Sequence, residues 1–332
     1  MKFSIILPVR NGGEYVKECV ASILSQTYTE FTLHVLDNNS TDGTLEWLNS
    51  INDSRIEITP SSTSLSIEEN WARALSIKKN EFMTLIGHDD ILFPNFLERM
   101  HEQILKNSEA SLFLTHFQFI DAKGEKIRDG KPMLSVYQPS EFLAQILQNK
   151  IDITGTGFIM KSADYDQIEG IPSYYPNLLF ADYDLWIKLA NISKLVVLKE
   201  NCFAFRLHQS TTKSSTDLKM IAAFEIFVSF LCKMNEINVE FSDVIKNNGT
   251  SFLHFHCKGL SHRLLRTALI NRDGFTVAMM LDKFKLFASS LKLDFAPLKT
   301  PSILAAYIID SNPFTRKLFL IFKSIFPKPV LK

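Results

Sequence analysis

Cysteine is scarce in this chain: Cys19, Cys202, Cys232 and Cys257 are the four, and no two of them stand at a paired metal-ligand spacing. That excludes a zinc finger or ribbon and argues against a disulfide-stapled secreted domain, so a reducing, cytoplasmic setting is expected. An excess of one charge is missing too. Lys plus Arg and Asp plus Glu both total 36, which leaves no overall basic field and speaks against nucleic acid as a partner. No stretch reaches the roughly 18 uninterrupted apolar residues of a membrane span, because Lys, Glu, Asp or Pro breaks each candidate. The opening run Met1–Pro8 is too short for the apolar core of a secretion signal, and no small-residue cleavage site follows it. Internal repeats and low-complexity tracts are absent as well.

Hydrophobic residues make up 46% and charged residues 22% of the 332, the balance of a folded chain long enough for one large domain with a smaller appendage. Residues 3–9 (FSIILPV) are apolar without alternation, the pattern of a strand covered on both faces in a parallel sheet. Asn11-Gly12-Gly13 breaks the run, and Val16, Cys19, Val20, Ile23 and Leu24 then recur at helical spacing. A second apolar segment, Leu33–Leu36, ends in Asp37-Asn38-Asn39-Ser40-Thr41-Asp42-Gly43 and leads into Leu45, Leu48 and Ile51 at helical spacing. Ile56–Ile58, a helix over Ile67–Leu75 and a strand Phe82–Ile86 ending in Gly87-His88-Asp89-Asp90 continue the alternation, which calls for a parallel α/β sheet. Ligands of such sheets bind beyond the carboxyl ends of the strands, so the polar clusters at 8–14, 37–42 and 88–90 are expected to converge on one crevice. Strands are expected at Leu112–His116 and near Val196 and Phe203, and a helix from Tyr183. Beyond Ser215 helical spacing dominates, over 220–234, 252–269 and 277–291.

Two successive carboxylates at a strand end, Asp89 and Asp90, repel each other unless a cation or a proton lies between them. Mg²⁺ and Mn²⁺ take oxygen ligands and bridge a carboxylate to a diphosphate; the plainer alternative is a helix N-cap ahead of Pro94. The segment Asp37–Gly43 offers acceptors to a base N–H or to ribose hydroxyls, or else makes an ordinary Asx turn. Asp182, within Phe180-Ala181-Asp182-Tyr183-Asp184-Leu185-Trp186, opens an amphipathic helix, where a carboxylate serves as a general base or as a cap. Arg206 and His208 alternate at a strand end and so point to one side, as anion or metal ligands or as solvated side chains.

As an ordered set these segments resemble the family 2 glycosyltransferases of the GT-A fold, over roughly the first 210 residues. Ile6-Leu7-Pro8-Val9-Arg10-Asn11 is similar to the family's first strand and nucleotide loop, and Ser25-Gln26-Thr27 ahead of Phe31, then Leu36–Gly43, to its second signature. Gly87-His88-Asp89-Asp90 resembles its DXD-type metal motif, and Phe180–Trp186 its acceptor-side motif. Three positions depart from the pattern: Asn38 replaces the second acid of the DDxS-like loop, Gly87 the first acid of DXD, and Ala181 the Glu that often precedes the base.

The resemblance implies a Rossmann-like, mostly parallel sheet flanked by helices in a catalytic domain 1–215, with a helical region 216–332 for acceptor, membrane-surface or oligomer contacts. It implies a nucleotide-sugar donor, UDP- or dTDP-linked, lying over Pro8, Val9, Arg10, Glu14, Asp37, Asn38 and Asp89, with the Asn38 amide oxygen accepting from a pyrimidine N3–H. It further implies Mn²⁺ or Mg²⁺ on Asp89, Asp90 and His208, and Asp182 as the base of an inverting transfer, with Asp184 the second choice. The acceptor is then a saccharide or lipid-linked saccharide of bacterial surface polysaccharide. A sugar nucleotidyltransferase would need a glycine-rich basic phosphate loop where only Asn11-Gly12-Gly13 stands; an inactive scaffold in a polysaccharide-assembly complex is an alternative that the altered positions 38, 87 and 181 favour and the presence of Asp89, Asp90 and Asp182 disfavours.

From Ser311 to Lys332 the chain carries Arg316, Lys317, Lys323, Lys328 and Lys332 without an acid, among Leu318, Phe319, Phe322, Ile325 and Phe326. That suits peripheral contact with an anionic membrane surface, and equally a terminal helix packed on the domain or on a second copy in a homo-oligomer. His254, His256 and His262 lie on a helical pattern with no acidic partner and read as structural histidines.

Overall fold

The computed structural model describes residues 1–208, 216–267, 272 and 274–325. Its two compact units are Met1–Phe142 with Lys150–Ser210, and Leu143–Asn149 with Thr211–Lys332.

In the first unit, β1 (Phe3–Val9) is buried along its whole length, as the unbroken apolar run requires. After it, α1 (Gly13–Leu24) buries Val16, Cys19, Val20 and Ile23. The next strand, β2 (Phe31–Asp37), is also buried throughout and pairs in parallel with β1, Val9 opposite Asp37. Then come α2 (Thr44–Ser50), β3 (Ile56–Ile58), α3 (Ile67–Ala72), β4 (Phe82–Leu85), β5 (Ile91–Leu92), α4 (Phe96–Lys106), β6 (Leu112–Ile120), β7 (Lys126–Asp129), β8 (Val136–Tyr137), α5 (Pro139–Leu147), β9 (Phe158–Lys161), α6 (Ser162–Gln167), α7 (Ala181–Ile192) and β10 (Leu195–Arg206).

The sheet runs β3-β2-β1-β4-β9-β6-β10-β5, with β7 on β6 and β8 on β10. Strands β1 to β4, β6 and β10 point one way, and β5, β7, β8 and β9 the other. The expected mostly parallel sheet is thus present, with β9 wedged antiparallel between β4 and β6. Because β2, β1 and β4 are neighbours in parallel, the three polar clusters lie along one edge of the sheet. The strands expected near Val196 and Phe203 are a single strand, β10. Its register against β6 shifts between Leu198 and Asn201 and again between Asn201 and Phe203, and such bulges break the alternation that would read as one strand.

At the β9 end, Trp186 of α7 stacks on Phe158 with centroids 4.2 Å apart, and its indole N–H donates to the Thr154 carbonyl at 2.9 Å. Gly157 lies here at φ +94°, where a Cβ would overlap the Phe203 ring; both the backbone and the space demand glycine.

The second unit is helical, as its spacing predicts: α8 (Asp217–Ile237), α9 (Val239–Arg266), α10 (Val277–Ser290), α11 (Pro301–Ser311) and α12 (Pro313–Ile325). The helix expected over 252–269 begins much earlier, at Val239, and residues 268 and 269, like Phe326, Lys328 and Lys332, lie outside the described residues. Phe224 is central, packing on Phe252, Phe284 and Phe287 at 5.1–5.7 Å between centroids. His256 packs on Phe224 and Phe252, and burial pushes its imidazole down to about 3. His254 meets the Thr300 hydroxyl at 3.2 Å. All four cysteines are free.

Gly157→Ala is expected to cost about 2–3 kcal/mol, since it forces an L side chain into a left-handed backbone against a packed ring. Urea unfolding followed by circular dichroism checks this.

Candidate active site

The site is built on the loops that leave β1, β2 and β4. Beyond β1, Asn11 takes φ +51°, and its loop is sewn to the loop after β2. The Asn11 N–H donates to Ser40 Oγ (3.0 Å), Thr41 N–H to Asn11 Oδ1 (2.8 Å), Gly12 N–H to Thr44 Oγ1 (3.0 Å) and Gly13 N–H to Asp42 Oδ2 (3.1 Å). Pro8 and Val9 are buried sheet residues, so what they present to a ligand is backbone. Arg10 is exposed and donates to Ser64 Oγ at 3.1 Å. Glu14 is exposed and pairs with Lys17 at 2.6 Å.

At the end of β2 the two residues of the second motif differ. Asp37 is fully buried; its Oδ2 accepts the Ser40 N–H at 3.2 Å, while Oδ1 has no hydrogen-bond partner. Asn38 is 2% exposed and exchanges a pair of bonds with one residue. Its Nδ2 donates to the Leu65 carbonyl at 2.9 Å, and its Oδ1 accepts the Leu65 N–H at 2.7 Å. The amide oxygen expected to read a pyrimidine N3–H is therefore already engaged, because an Asn facing an extended backbone satisfies both its groups there.

Beyond β4, Asp89 and Asp90 part company. Asp90 turns inward: Oδ1 accepts the Arg206 N–H at 2.9 Å, and Oδ2 accepts from the Thr156 hydroxyl. Burial, then the Asp89 charge, push its carboxyl well above the ordinary range. Asp89 turns to His208, with Oδ2 2.6 Å from Nε2. Burial alone would raise the Asp89 carboxyl, but the His208 hydrogen bond and the His88 and His208 charges outweigh it and hold it below its usual range. Gly87 has a steric reason to depart from the acid of the motif: a Cβ there would come within 2.8 Å of Asp89 Oδ1 and 3.2 Å of Asp90 Oδ2.

Arg206 lies 3% exposed beside this turn. Its Nε donates to the Asp89 carbonyl at 2.8 Å, Nη1 to the carbonyls of Asp121 and Ala122 at 3.2 and 3.3 Å, and Nη2 to Glu18. Tyr15 covers its guanidinium at 4.7 Å and sits 4.9 Å from the His208 ring. The anion-binding option for Arg206 therefore falls: each of its nitrogens is spent on protein.

On α7, Asp182 and Asp184 diverge just as sharply. Asp184 is fully buried; both the Tyr174 and Tyr175 hydroxyls donate to its Oδ2 at 3.0 Å, and Lys188 pairs with its Oδ1 at 2.7 Å. Asp182 is partly exposed and accepts the Tyr183 N–H at 2.9 Å on Oδ1. Among the described residues no cation pairs with it. Burial raises its carboxyl to about 6, against the smaller lowering by backbone N–H groups. The segment 154–156 joins the two parts of the site, since Thr156 holds Asp90 and the Gly87 N–H (3.0 Å) while Thr154 receives Trp186 of α7.

Sequence reasoning missed Thr156, Glu18 and Tyr15, which come from segments with no motif of their own. It also left Gln26 without a role. Gln26 is buried and ties α1 to the chain after β5, donating to the Phe93 carbonyl at 2.8 Å and accepting the Leu97 N–H at 3.0 Å.

No group of three or more His, Cys, Asp or Glu side chains able to hold a metal occurs among the described residues. Asp89 and His208 supply two donors, an oxygen and a nitrogen, which fits an ion completed by diphosphate oxygens rather than one caged by protein.

Acidic loops at one edge of a mostly parallel sheet and a part-buried carboxylate on α7 thus make up the site. Residues 4–168 match the family described as glycosyl transferase family 2, and the chain belongs to that family. An uncharacterized glycosyltransferase of Rickettsia conorii is 24% identical over 260 residues, 75% of this chain and 40% of the relative. Glycosyltransferase GlyG of Streptococcus pneumoniae is 25% identical over 123 residues, 36% of this chain and 41% of the relative. The chain thus spans about two fifths of these curated relatives. Among solved structures, S. aureus TarS 1–349 in complex with UDP-GlcNAc superposes with a TM-score of 0.68 at 18% identity, covering 98% of this chain and 92% of that one. The mannosyltransferase PcManGT of Pyrobaculum calidifontis, in complex with GDP-Man and Mn²⁺, gives 0.54 at 14% identity, covering 98% and 88%. What these structures share with the chain is the GT-A fold.

Arg206→Met is expected to cost about 3 kcal/mol, because it leaves carbonyls of the Asp89 and Asp121–Ala122 turns without a donor. Equilibrium urea unfolding measures the loss, and Arg206→Lys should restore only part of it.

Proposed function

We propose that this chain transfers a sugar from a nucleoside diphosphate sugar to an acceptor hydroxyl, with inversion at the anomeric carbon. The observation that carries the reading is a burial-raised carboxylate, Asp182, that no cation among the described residues pairs with, present together with the Asp89–His208 pair on a family 2 framework.

The nucleotide lies across the ends of β1 and β2, over the Pro8 and Val9 backbone, with Arg10 and Glu14 at the exposed rim. Asp37 Oδ1, buried and lacking a partner, takes a base N–H. Asn38 acts one step removed by fixing Leu65, and thereby the loop under the base. The TarS complex contains UDP-GlcNAc, which supports a UDP-linked donor. Asp89 and His208 would hold a Mn²⁺ or Mg²⁺ ion, which supplies charge compensation for the departing diphosphate. Asp90, saturated by Thr156 and Arg206, holds the turn in shape.

In the transfer, the acceptor oxygen forms its bond to the anomeric carbon from the face opposite the diphosphate, whose bond to that carbon breaks. The acceptor proton passes to Asp182 Oδ2, since Oδ1 is held by the Tyr183 N–H. Asp184 is set aside as base because both its oxygens are engaged in the interior. A carboxyl near 6 is close to the working pH, where a base is both ionised and basic enough to accept. An acceptor in bacterial surface polysaccharide, free or lipid-linked, is consistent with relatives that include a chondroitin synthase of Pasteurella multocida.

Asp182→Asn is expected to lower kcat by about 10²–10⁴-fold while leaving the nucleotide Kd within about twofold. Because the base must be ionised, log kcat/KM should rise with pH and level off above about 6; turnover independent of pH between 5 and 7 would remove Asp182 from the role. Calorimetric titration with UDP, dTDP and GDP, each with Mn²⁺ and with a chelator, tests the donor. Nucleotide binding strengthened by Mn²⁺ and no longer strengthened in Asp89→Ala is the expected result, whereas no binding of any nucleotide would return the chain to the scaffold reading.

A further inference from the structure

The chain that leads into α7 has an unusual backbone. Asn177, Leu178 and Phe180 take φ +54°, +54° and +68°. Asparagine tolerates this left-handed region, whereas the Cβ of leucine or phenylalanine is crowded there. Such a conformation persists only where the surroundings impose it. Phe180 also stands at the cap position of α7, where its side chain accepts nothing from the first N–H groups of the helix. The direction in which α7 sets out, and with it the place of Asp182 on its second residue, therefore depends on how the preceding segment is held.

Two sets of bonds hold it. From α7 itself, Asp184 Oδ2 accepts the Tyr174 and Tyr175 hydroxyls, both at 3.0 Å. From a distant part of the chain, Glu68 Oε1 accepts the Asn177 N–H at 2.6 Å, a short bond of the strong carboxylate-to-N–H kind, made at the middle of the left-handed stretch. Glu68 is well placed to act as an anchor because α3, which carries it, is fixed at both ends. At its start Ser66 and Glu69 cap each other, the Glu69 N–H donating to Ser66 Oγ at 3.1 Å and the Ser66 N–H to Glu69 Oε2 at 2.7 Å. At its far end Asn70 Nδ2 donates to the Leu36 carbonyl at 3.2 Å, and Arg73 Nη1 to the Asp37 carbonyl at 3.0 Å. The helix is thus secured to the end of β2. Of the two acids in its first turn, Glu69 serves the cap and Glu68 reaches across.

We infer that Glu68 is a positioning residue for the transfer: through the Asn177 backbone it fixes the start of α7 against the end of β2, and so sets where Asp182 meets the acceptor hydroxyl. The inference rests on the reading of Asp182 as the base. Glu68 itself takes no proton and touches no reacting atom. Its loss displaces the base without removing it, which lowers turnover while the nucleotide-binding ends of β1 and β2 stay as they are.

The test compares Glu68→Ala, which deletes the acceptor, with Glu68→Gln, whose amide oxygen can still receive the Asn177 N–H. The Asp182 carboxyl is titrated by carbon-13 NMR, its signal assigned by its absence in Asp182→Asn; this readout needs no substrate. In Glu68→Ala it should titrate lower than in the wild type by about one pH unit, because a loosened segment lets water reach it, and Glu68→Gln should stay near the wild type. In parallel, UDP release from UDP-GlcNAc should show kcat reduced about tenfold or more in Glu68→Ala with KM within about twofold, and most of the loss recovered in Glu68→Gln. An Asp182 titration that Glu68→Ala leaves unmoved overturns the inference. So does a loss that Glu68→Gln fails to recover, or a kcat unchanged in Glu68→Ala while Asp182→Asn lowers it. UDP release as fast in Asp182→Asn as in the wild type would instead overturn the reading of the base, and the inference with it.

Discussion

The Arg206 guanidinium donates at once to the Asp89 carbonyl, to the Asp121 and Ala122 carbonyls and to the Glu18 carboxylate. It ties the turn after β4 to the turn after β6 and to α1, with the Tyr15 hydroxyl of α1 adding a bond to the Ala122 carbonyl at 3.3 Å. A planar fork with five donors can do this without moving, whereas an ammonium could not reach three directions at fixed geometry. The position of Asp89, and so the direction in which it offers its carboxylate to His208, depends on this brace. Asp90 completes it from the other side by accepting the Arg206 backbone N–H. One residue is thus held by both its main chain and its side chain, and the acidic turn cannot relax to separate its two carboxylates.

Burial does opposite things to the two acids of α7. Asp184 goes fully inside and survives there because two tyrosine hydroxyls and Lys188 satisfy it; a buried charge without such partners would be prohibitive. Asp182, two residues earlier, is enclosed enough to raise its carboxyl to about 6 but is met only by backbone N–H groups next to it, those of Tyr183 and of Asp182 itself. Enclosure without compensation makes a carboxylate a stronger base. The contrast separates a saturated acid from one with an open oxygen more clearly than their sequence positions do.

Much of this was legible in the sequence. The unbroken run Phe3–Val9 predicted a doubly covered parallel strand, and polar residues at the ends of β1, β2 and β4 predicted that those ends would meet. What escaped was of two kinds. β10 was divided in two because its bulges near Asn201 interrupt the side-chain alternation. The partners of known motif residues escaped because they are single polar side chains in unremarkable segments: nothing around Thr156, Glu18 or Leu65 signals that they complete Asp90, Arg206 and Asn38. A motif shows which residue types recur, while hydrogen-bond saturation, which distinguishes Asp182 from Asp184, exists only in three dimensions.

Asn38, Gly87 and Ala181 each set a neutral residue where the family pattern has an acid. In the structure two of these positions are filled without charge: Asn38 is absorbed by Leu65, and Gly87 yields its space to the Asp89 and Asp90 carboxylates. Two unit negative charges about 4 Å apart repel by about 1–4 kcal/mol between water and a protein surface. Gly87, where a Cβ would lie 2.8 Å from Asp89 Oδ1 and 3.2 Å from Asp90 Oδ2, therefore spares a turn that already carries two carboxylates the mutual repulsion of a third.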